Sequence, residues 1–222
     1  MNLSRLLDGL LQSAGAATAQ RDIRWGQVGA GAAAGGALGL LLGGRKGLGR
    51  KALKYGSVAA LGYAAYTIYE QYQAREAQAG ATGLGAAGSA AWPAPGQPAL
   101  PAAQQEWHSQ LMLTAMIAAA KADGHVDERE RSLIEAELQR QQADDEERRW
   151  LEAQLRKPLD PAEVARAAVG QAPALAAEVY LASLVVADDT SFMERAYLDE
   201  LARQLQLPAA LKQDLETQAR SG

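Results

Sequence analysis

The chain has 222 residues, no cysteine and a formal net charge of −4, which leaves room for one ordinary domain plus extra segments. The lack of cysteine excludes a disulfide framework, a thiol nucleophile and a zinc–thiolate site. Charge is unevenly divided: residues 1–103 carry nine basic and four acidic side chains and residues 104–222 carry 13 and 22, so a +5 front half suits anionic lipid while a −9 back half argues against nucleic acid.

The first segment, residues 1–24, places Leu3, Leu6, Leu7, Leu10 and Leu11 at helical spacing, with Asp8 interrupting any continuous apolar run. That pattern predicts a short amphipathic helix, lying on a membrane or packing on a partner, rather than a secretory signal. Residues 25–73 follow as a glycine-rich apolar region. Its first stretch, Gly26–Gly44, is 19 uncharged residues with eight Gly, five Ala, four Leu and one Val. As a helix it would reach about 28 Å, close to a bilayer core. Gly31, Gly35, Gly39 and Gly43 recur every four residues, a stripe that lets another helix backbone come close. The stripe predicts self-association or pairing with a membrane-protein partner. Glycine weakens insertion, so this span needs such a partner.

The second stretch, Tyr55–Tyr69, is 15 uncharged residues. Its Tyr63, Tyr66 and Tyr69, the following Tyr72, and Trp25 before the first span resemble interfacial anchors. Arg45, Lys46, Arg50, Lys51 and Lys54 lie between the two stretches. A single span would leave that basic cluster and everything after it in the cytoplasm, the preferred placement. A helical hairpin would return the C-terminal part to the other side. The alternative is that both stretches are buried helices of a soluble assembly. The Gly29-Ala30-Gly31-Ala32-Ala33-Ala34 run matches a loose dinucleotide pattern, but no strand precedes it and no acid follows at the required distance.

Residues 74–103 read as a flexible linker, with Pro93, Pro95, Pro98 and Pro101 among Ala and Gly. From 104 to 222 the pattern is helix after helix. Seven are expected: 104–122, with Trp107, Leu111 and Ile117 on its buried face; 127–142; 144–156; one opening at the Asp160 cap and Pro161; 172–187; 191–206; and 208–220. The Asp144-Asp145-Glu146-Glu147 run is a helix start with acids in its first turn. The expected fold class is all-α.

An internal echo runs through this part. Ala122-Asp123-Gly124-His125-Val126-Asp127-Glu128-Arg129-Glu130 returns, one residue shorter, as Ala187-Asp188-Asp189-Thr190-Ser191-Phe192-Met193-Glu194. Each time an alanine-rich helix ends at an Ala-Asp turn and a Glu-Arg-bearing helix begins. With the following Arg195-Ala196-Tyr197-Leu198, these residues resemble the TerB-like helical domain of tellurite-resistance type. With the glycine-rich front half, the architecture resembles the uncharacterised YebE-like bacterial inner-membrane proteins.

The resemblance implies divalent-ion binding at acidic positions and a part in envelope or metal stress. Carried over, the candidate ligands are Asp123, Asp127, Glu130, Asp188 and Glu194, whose hard oxygens suit Ca²⁺ or Mg²⁺. Helix capping competes with that reading. Asp127-x-x-Glu130 and Ser191-x-x-Glu194 both have capping-box spacing, and serine caps well but ligates Ca²⁺ poorly. Capping leaves Asp123 and Asp188 unexplained. An EF-hand is excluded, since counting from Asp123 the sixth position is Glu128 and the twelfth Ile134.

His108 and His125, the two histidines, lack the spacing of a zinc pair. No nucleophile–base set can be assembled. The expectation is a non-enzymatic, membrane-anchored interaction or ion-responsive module. The alternatives are a peripheral or soluble scaffold without metal and, last, a metal-dependent hydrolase using Asp123 and Asp188.

Overall fold

The computed structural model describes residues 2–9, 11, 58–78, 101–122, 128–187 and 191–220, with no strand among the described residues. The helices are α1 (3–9), α2 (Val58–Gln78), α3 (Ala102–Ala120), α4 (Glu128–Arg140), α5 (Asp145–Arg156), α6 (Pro161–Arg166), α7 (Pro173–Val186), α8 (Phe192–Gln204) and α9 (Ala209–Arg220). The last seven fall within two residues of the ends expected from the sequence, where those were given. The glycine stripe Gly31, Gly35, Gly39 and Gly43 and the Pro-rich linker from 79 to 100 lie outside the described residues.

The centre of the bundle is α7. Pro173 stands in its first turn, where a missing N–H costs nothing, and every residue from Ala174 to Val186 is buried. A helix that is apolar all round has no face to give to water, so other helices must surround it. α3, α2, α9 and α8 all pack on it. α6 bridges α8 and α3.

Capping sets the helix ends. The Asp144 carboxylate accepts from the Glu147 N–H at 2.8 Å while Glu147 accepts from the Asp144 N–H at 2.9 Å, a complete capping box opening α5. That backbone hydrogen bond is the main reason the Asp144 carboxyl titrates below its ordinary value. Asp160 accepts from the Ala162 N–H at 2.9 Å, with Pro161 next in line. At their C-termini α4 and α8 turn into the left-handed region at Gln142 (φ 54°) and Gln206 (φ 56°). Ala143 N–H then reaches back to the Leu138 carbonyl and Leu207 N–H to that of Ala202, the six-to-one bond of a Schellman ending.

Three expectations are corrected. The stretch read as a second membrane segment, Tyr55–Tyr69, supplies most of α2, which packs on α7 and α9. Leu61, Ala65, Ile68 and Tyr69 are buried in the common core, and Tyr66 and Tyr72 are half-buried against it. The Arg75 guanidinium pairs with Asp214 of α9. The tyrosines that resembled lipid anchors are therefore largely packing residues, although Tyr63 stays 49% exposed. No helix among the described residues is long and apolar enough to cross a membrane.

The leucine stripe of residues 1–24 is not left for lipid either. Leu3, Leu6, Leu7 and Leu11 are each at most 2% exposed in the same core. The folded body thus draws on residues well before 104, and α2 runs to Gln78, past the 73/74 boundary drawn from composition. Third, Trp107, expected on the buried face of α3, is 39% exposed, while Leu111 and Ile117 are buried. Trp107 lies one turn from Leu111 on the same side, but burial in α3 begins only at His108 and Ser109, so its exposure follows its place near the start of the helix rather than its face.

Candidate functional site

The echoed units have counterparts in space. α4 follows α3 and α8 follows α7, with the connections 123–127 and 188–190 outside the described residues, and among the described helices α3 against α7 is the most extensive contact. The alanines that close the two apolar helices, Ala122 and Ala187, are equally buried, at 3% and 1% exposure. Asp123 and Asp127 of the first turn and Asp188 of the second lie outside the described residues. Glu130 is the third residue of α4, and its side chain is outside them too.

Of the candidate ligands, Glu194 alone can be described. It is the third residue of α8, fully buried, and its N–H approaches the Ser191 Oγ at 3.5 Å. Serine capping is therefore present at this turn, and the first-turn carboxylate gains from the helix dipole. Among the described residues no group of three or more His, Asp or Glu side chains could hold a metal ion.

Directly after the second turn, the exposed surface is apolar. Phe192, the chain's one phenylalanine, is 75% exposed and Met193 is 58% exposed on the first turn of α8. Two adjacent large apolar side chains in water on a well-packed helix mark a contact surface more readily than a packing defect.

Sequence reasoning missed a buried ionisable pair. His108 Nε2 lies 2.8 Å from Glu178 Oε2 across the α3–α7 contact, each residue about 1% exposed. The Glu178 Oε1 has no hydrogen-bond partner among the described residues. The signal was present in α7, where Glu178 is the one charged residue in a 14-residue helix that is otherwise almost wholly apolar. Such a carboxylate must find a partner inside the bundle. His108 and Glu178 thus form a polar contact buried between α3 and α7.

A cleft of about 30 Å³ lies between the end of α3 and the α5–α6 connection, lined by Thr114, Ile117, Lys121, Gln154 and Asp160 among others. Small-molecule sites usually span roughly 300–1,000 Å³, so this one takes about a water molecule. Lys121 fills the cation role at the C-terminus of α5, its ammonium donating to the Gln154 carbonyl at 3.2 Å and to that of Lys157. Burial lowers its pKa.

At the other end of α3, two carboxylates hold α1. Glu106 Oε1 accepts from the Leu3 N–H and Glu147 Oε1 from the Asn2 N–H, both at 2.7 Å. Those N–H groups begin a helix and have no partner within it, so the carboxylates act as caps supplied by other helices. Ser4 and Ser109 hydroxyls meet at 2.9 Å. The Arg5 guanidinium reaches the Gln142 carbonyl at 3.4 Å and lies 3.6 Å from Glu147 Oε2. Glu147 serves two helices at once, completing the capping box of α5 and receiving α1.

Comparison with known proteins gives relatives without a described activity. No solved structure matches the chain. An "uncharacterized protein in ampR 5′region" of Yersinia enterocolitica is 33% identical over 111 residues, 50% of this chain and 78% of the relative. The profile described as "Protein of unknown function (DUF533)" matches residues 27–219, which takes in the glycine-rich region, α2 and every helix of the bundle from α3 to α9. The chain belongs to the DUF533 family, whose helical domain is TerB-like.

Proposed function

We propose that the chain is a non-enzymatic, YebE-like protein of a bacterial inner membrane, which holds a TerB-like bundle at the lipid surface as an interaction module. The observation that carries the interaction part is the exposed Phe192-Met193 pair, on a first turn fixed by the Ser191 cap and by the buried Glu194. A partner contacts the bundle there, beside the second acidic turn. Contact through the glycine stripe at Gly31, Gly35, Gly39 and Gly43, with another copy or a membrane-protein partner, supplies the lipid-side attachment.

Divalent-ion response belongs to the same proposal. Ca²⁺ or Mg²⁺ draws its ligands from Asp123, Asp127, Glu130, Asp188 and Glu194, and the cytoplasmic face is the preferred location of the bundle. Support comes from the family resemblance and from the contact of α3 with α7, the helices that precede the two acidic turns. Calorimetric titration of the full chain with Ca²⁺ and Mg²⁺ tests this part. Absence of both heat and a melting shift leaves the acids as caps alone.

A photo-crosslinking residue placed at position 192 in living cells tests the contact surface. It is expected to trap one defined partner that the same residue at exposed position 63 does not. A second reading, a peripheral scaffold without metal, is favoured by the docking of α1 and α2, because both segments spend their apolar faces on the bundle. Alkaline carbonate extraction separates the two, since a peripheral scaffold is fully released.

A further inference from the structure

We infer that α1, α2 and the bundle lie on one face of any membrane the chain meets, so that residues 12–57 leave and return on the same side and the glycine-rich stretch does not carry the chain across. The inference rests on the membrane reading above and deepens it. Its basis is the double docking of the flanks. Upstream, α1 is held by four buried leucines, by the Glu106 and Glu147 caps and by the Ser4–Ser109 contact. Downstream, α2 is held on α7 and α9, with Leu61, Ala65, Ile68 and Tyr69 buried and Arg75 paired to Asp214.

A single crossing by residues 26–44 would place residues 45–57 on the far side, yet α2 begins at Val58 on the bundle. The return would have to run through Arg45, Lys46, Arg50, Lys51 and Lys54. Thirteen residues make a helix of about 20 Å, short of the roughly 30 Å hydrocarbon core, and extended backbone in lipid leaves its polar groups unsatisfied. Five basic side chains in that leg would each be penalised at the bilayer centre. The upstream leg, residues 12–25, is no better, since it contains Arg21, Asp22 and Arg24. A hairpin using α2 as its second leg would dismantle the core. What remains is attachment from one face.

The cysteine-free chain makes the test direct. Single variants Ser13→Cys, Ser57→Cys and Ser221→Cys of the full chain are labelled with a membrane-impermeant maleimide in right-side-out and inverted inner-membrane vesicles. All three positions are expected to react in the same vesicle orientation. Reaction of Ser13→Cys from the face opposite to Ser221→Cys would overturn the inference.

A Ser4→Cys/Ser109→Cys pair, placed where the two hydroxyls are 2.9 Å apart, reports docking in the same vesicles. Oxidation is expected to close the disulfide in carbonate-resistant protein. A disulfide that closes only in the detergent-extracted protein shows α1 released at the membrane and equally overturns it. Full extraction by carbonate removes the membrane reading itself, and the inference with it, and is distinguishable because no variant then remains with the vesicles.

Discussion

α7 and α1 are both buried, but for different reasons. α7 is apolar around its whole circumference and packs against four other helices. At 14 residues it is too short to span a bilayer, and the interior of the folded body satisfies it. α1 carries one leucine stripe, and its docking depends on groups borrowed from elsewhere: Glu106, Ser109, Gln142 and Glu147. Each buried leucine contributes about 1.5–3 kcal/mol, while fixing each residue of the segment costs about 1–2 kcal/mol. The balance for α1 is therefore close to even, and the borrowed caps decide it. An all-round apolar helix announces its place, whereas a one-striped helix takes whichever apolar surface is offered.

The largest effect is expected inside α7. Glu178→Ala leaves His108 buried without its carboxylate and should cost about 3–5 kcal/mol of global stability, read by urea unfolding. A loss under 1 kcal/mol would mean that the pair is dispensable and that α7 is held by packing alone. Leu7→Ala should cost about 2–5 kcal/mol at the α1 site. Because the docking of α1 is marginal, the loss should appear in hydrogen exchange of residues 3–9, with the global transition nearly unmoved. A full shift of the global melt would make α1 as integral as α7.

Smaller effects lie at the rim. Gln206 holds a left-handed conformation that costs a side-chain-bearing residue about 1–2 kcal/mol, partly offset by the greater unfolded freedom of glycine. Gln206→Gly should therefore raise stability by up to about 1 kcal/mol in thermal melts, and destabilisation would contradict the Schellman ending of α8. The smallest effect concerns Glu200, which hydrogen bonds from Arg203 and Gln204 hold down to about 2. A depressed carboxyl pKa stabilises the fold above its unfolded value of 4.5, and that contribution is lost as pH falls through about 2. Carboxyl NMR titration should show the low midpoint, and Arg203→Gln should raise it.

Much of the bundle was legible because its signals are local. Asp160-Pro161, Ser191-x-x-Glu194 and the acidic run at Asp144 mark helix starts through chemistry confined to four or five residues. The echo between residues 122–130 and 187–194 marks two apolar helices each followed by a charged one, present as α3 then α4 and α7 then α8, while the turns themselves lie outside the described residues. The His108–Glu178 contact joins residues 70 positions apart, so no local pattern displays it. Glu178 hinted at it, as a lone charge in an apolar helix. The double role of Glu147 was hidden for the same reason, since its second set of donors comes from the start of the chain.

By itself the sequence determined the all-α class seen among the described residues and where the helices of the C-terminal half begin and end. Each of these follows from periodicity, capping and composition within one segment. Tertiary structure alone decided what the apolar stripes of α1 and α2 face. Lipid and a protein interior are both low in polarity, so a stripe of Leu3, Leu6, Leu7 and Leu11, or of Leu61, Ala65, Ile68 and Tyr69, fits either. The choice fell to the surfaces available on α3, α7 and α9, and to carboxylates more than a hundred residues away that complete the start of α1.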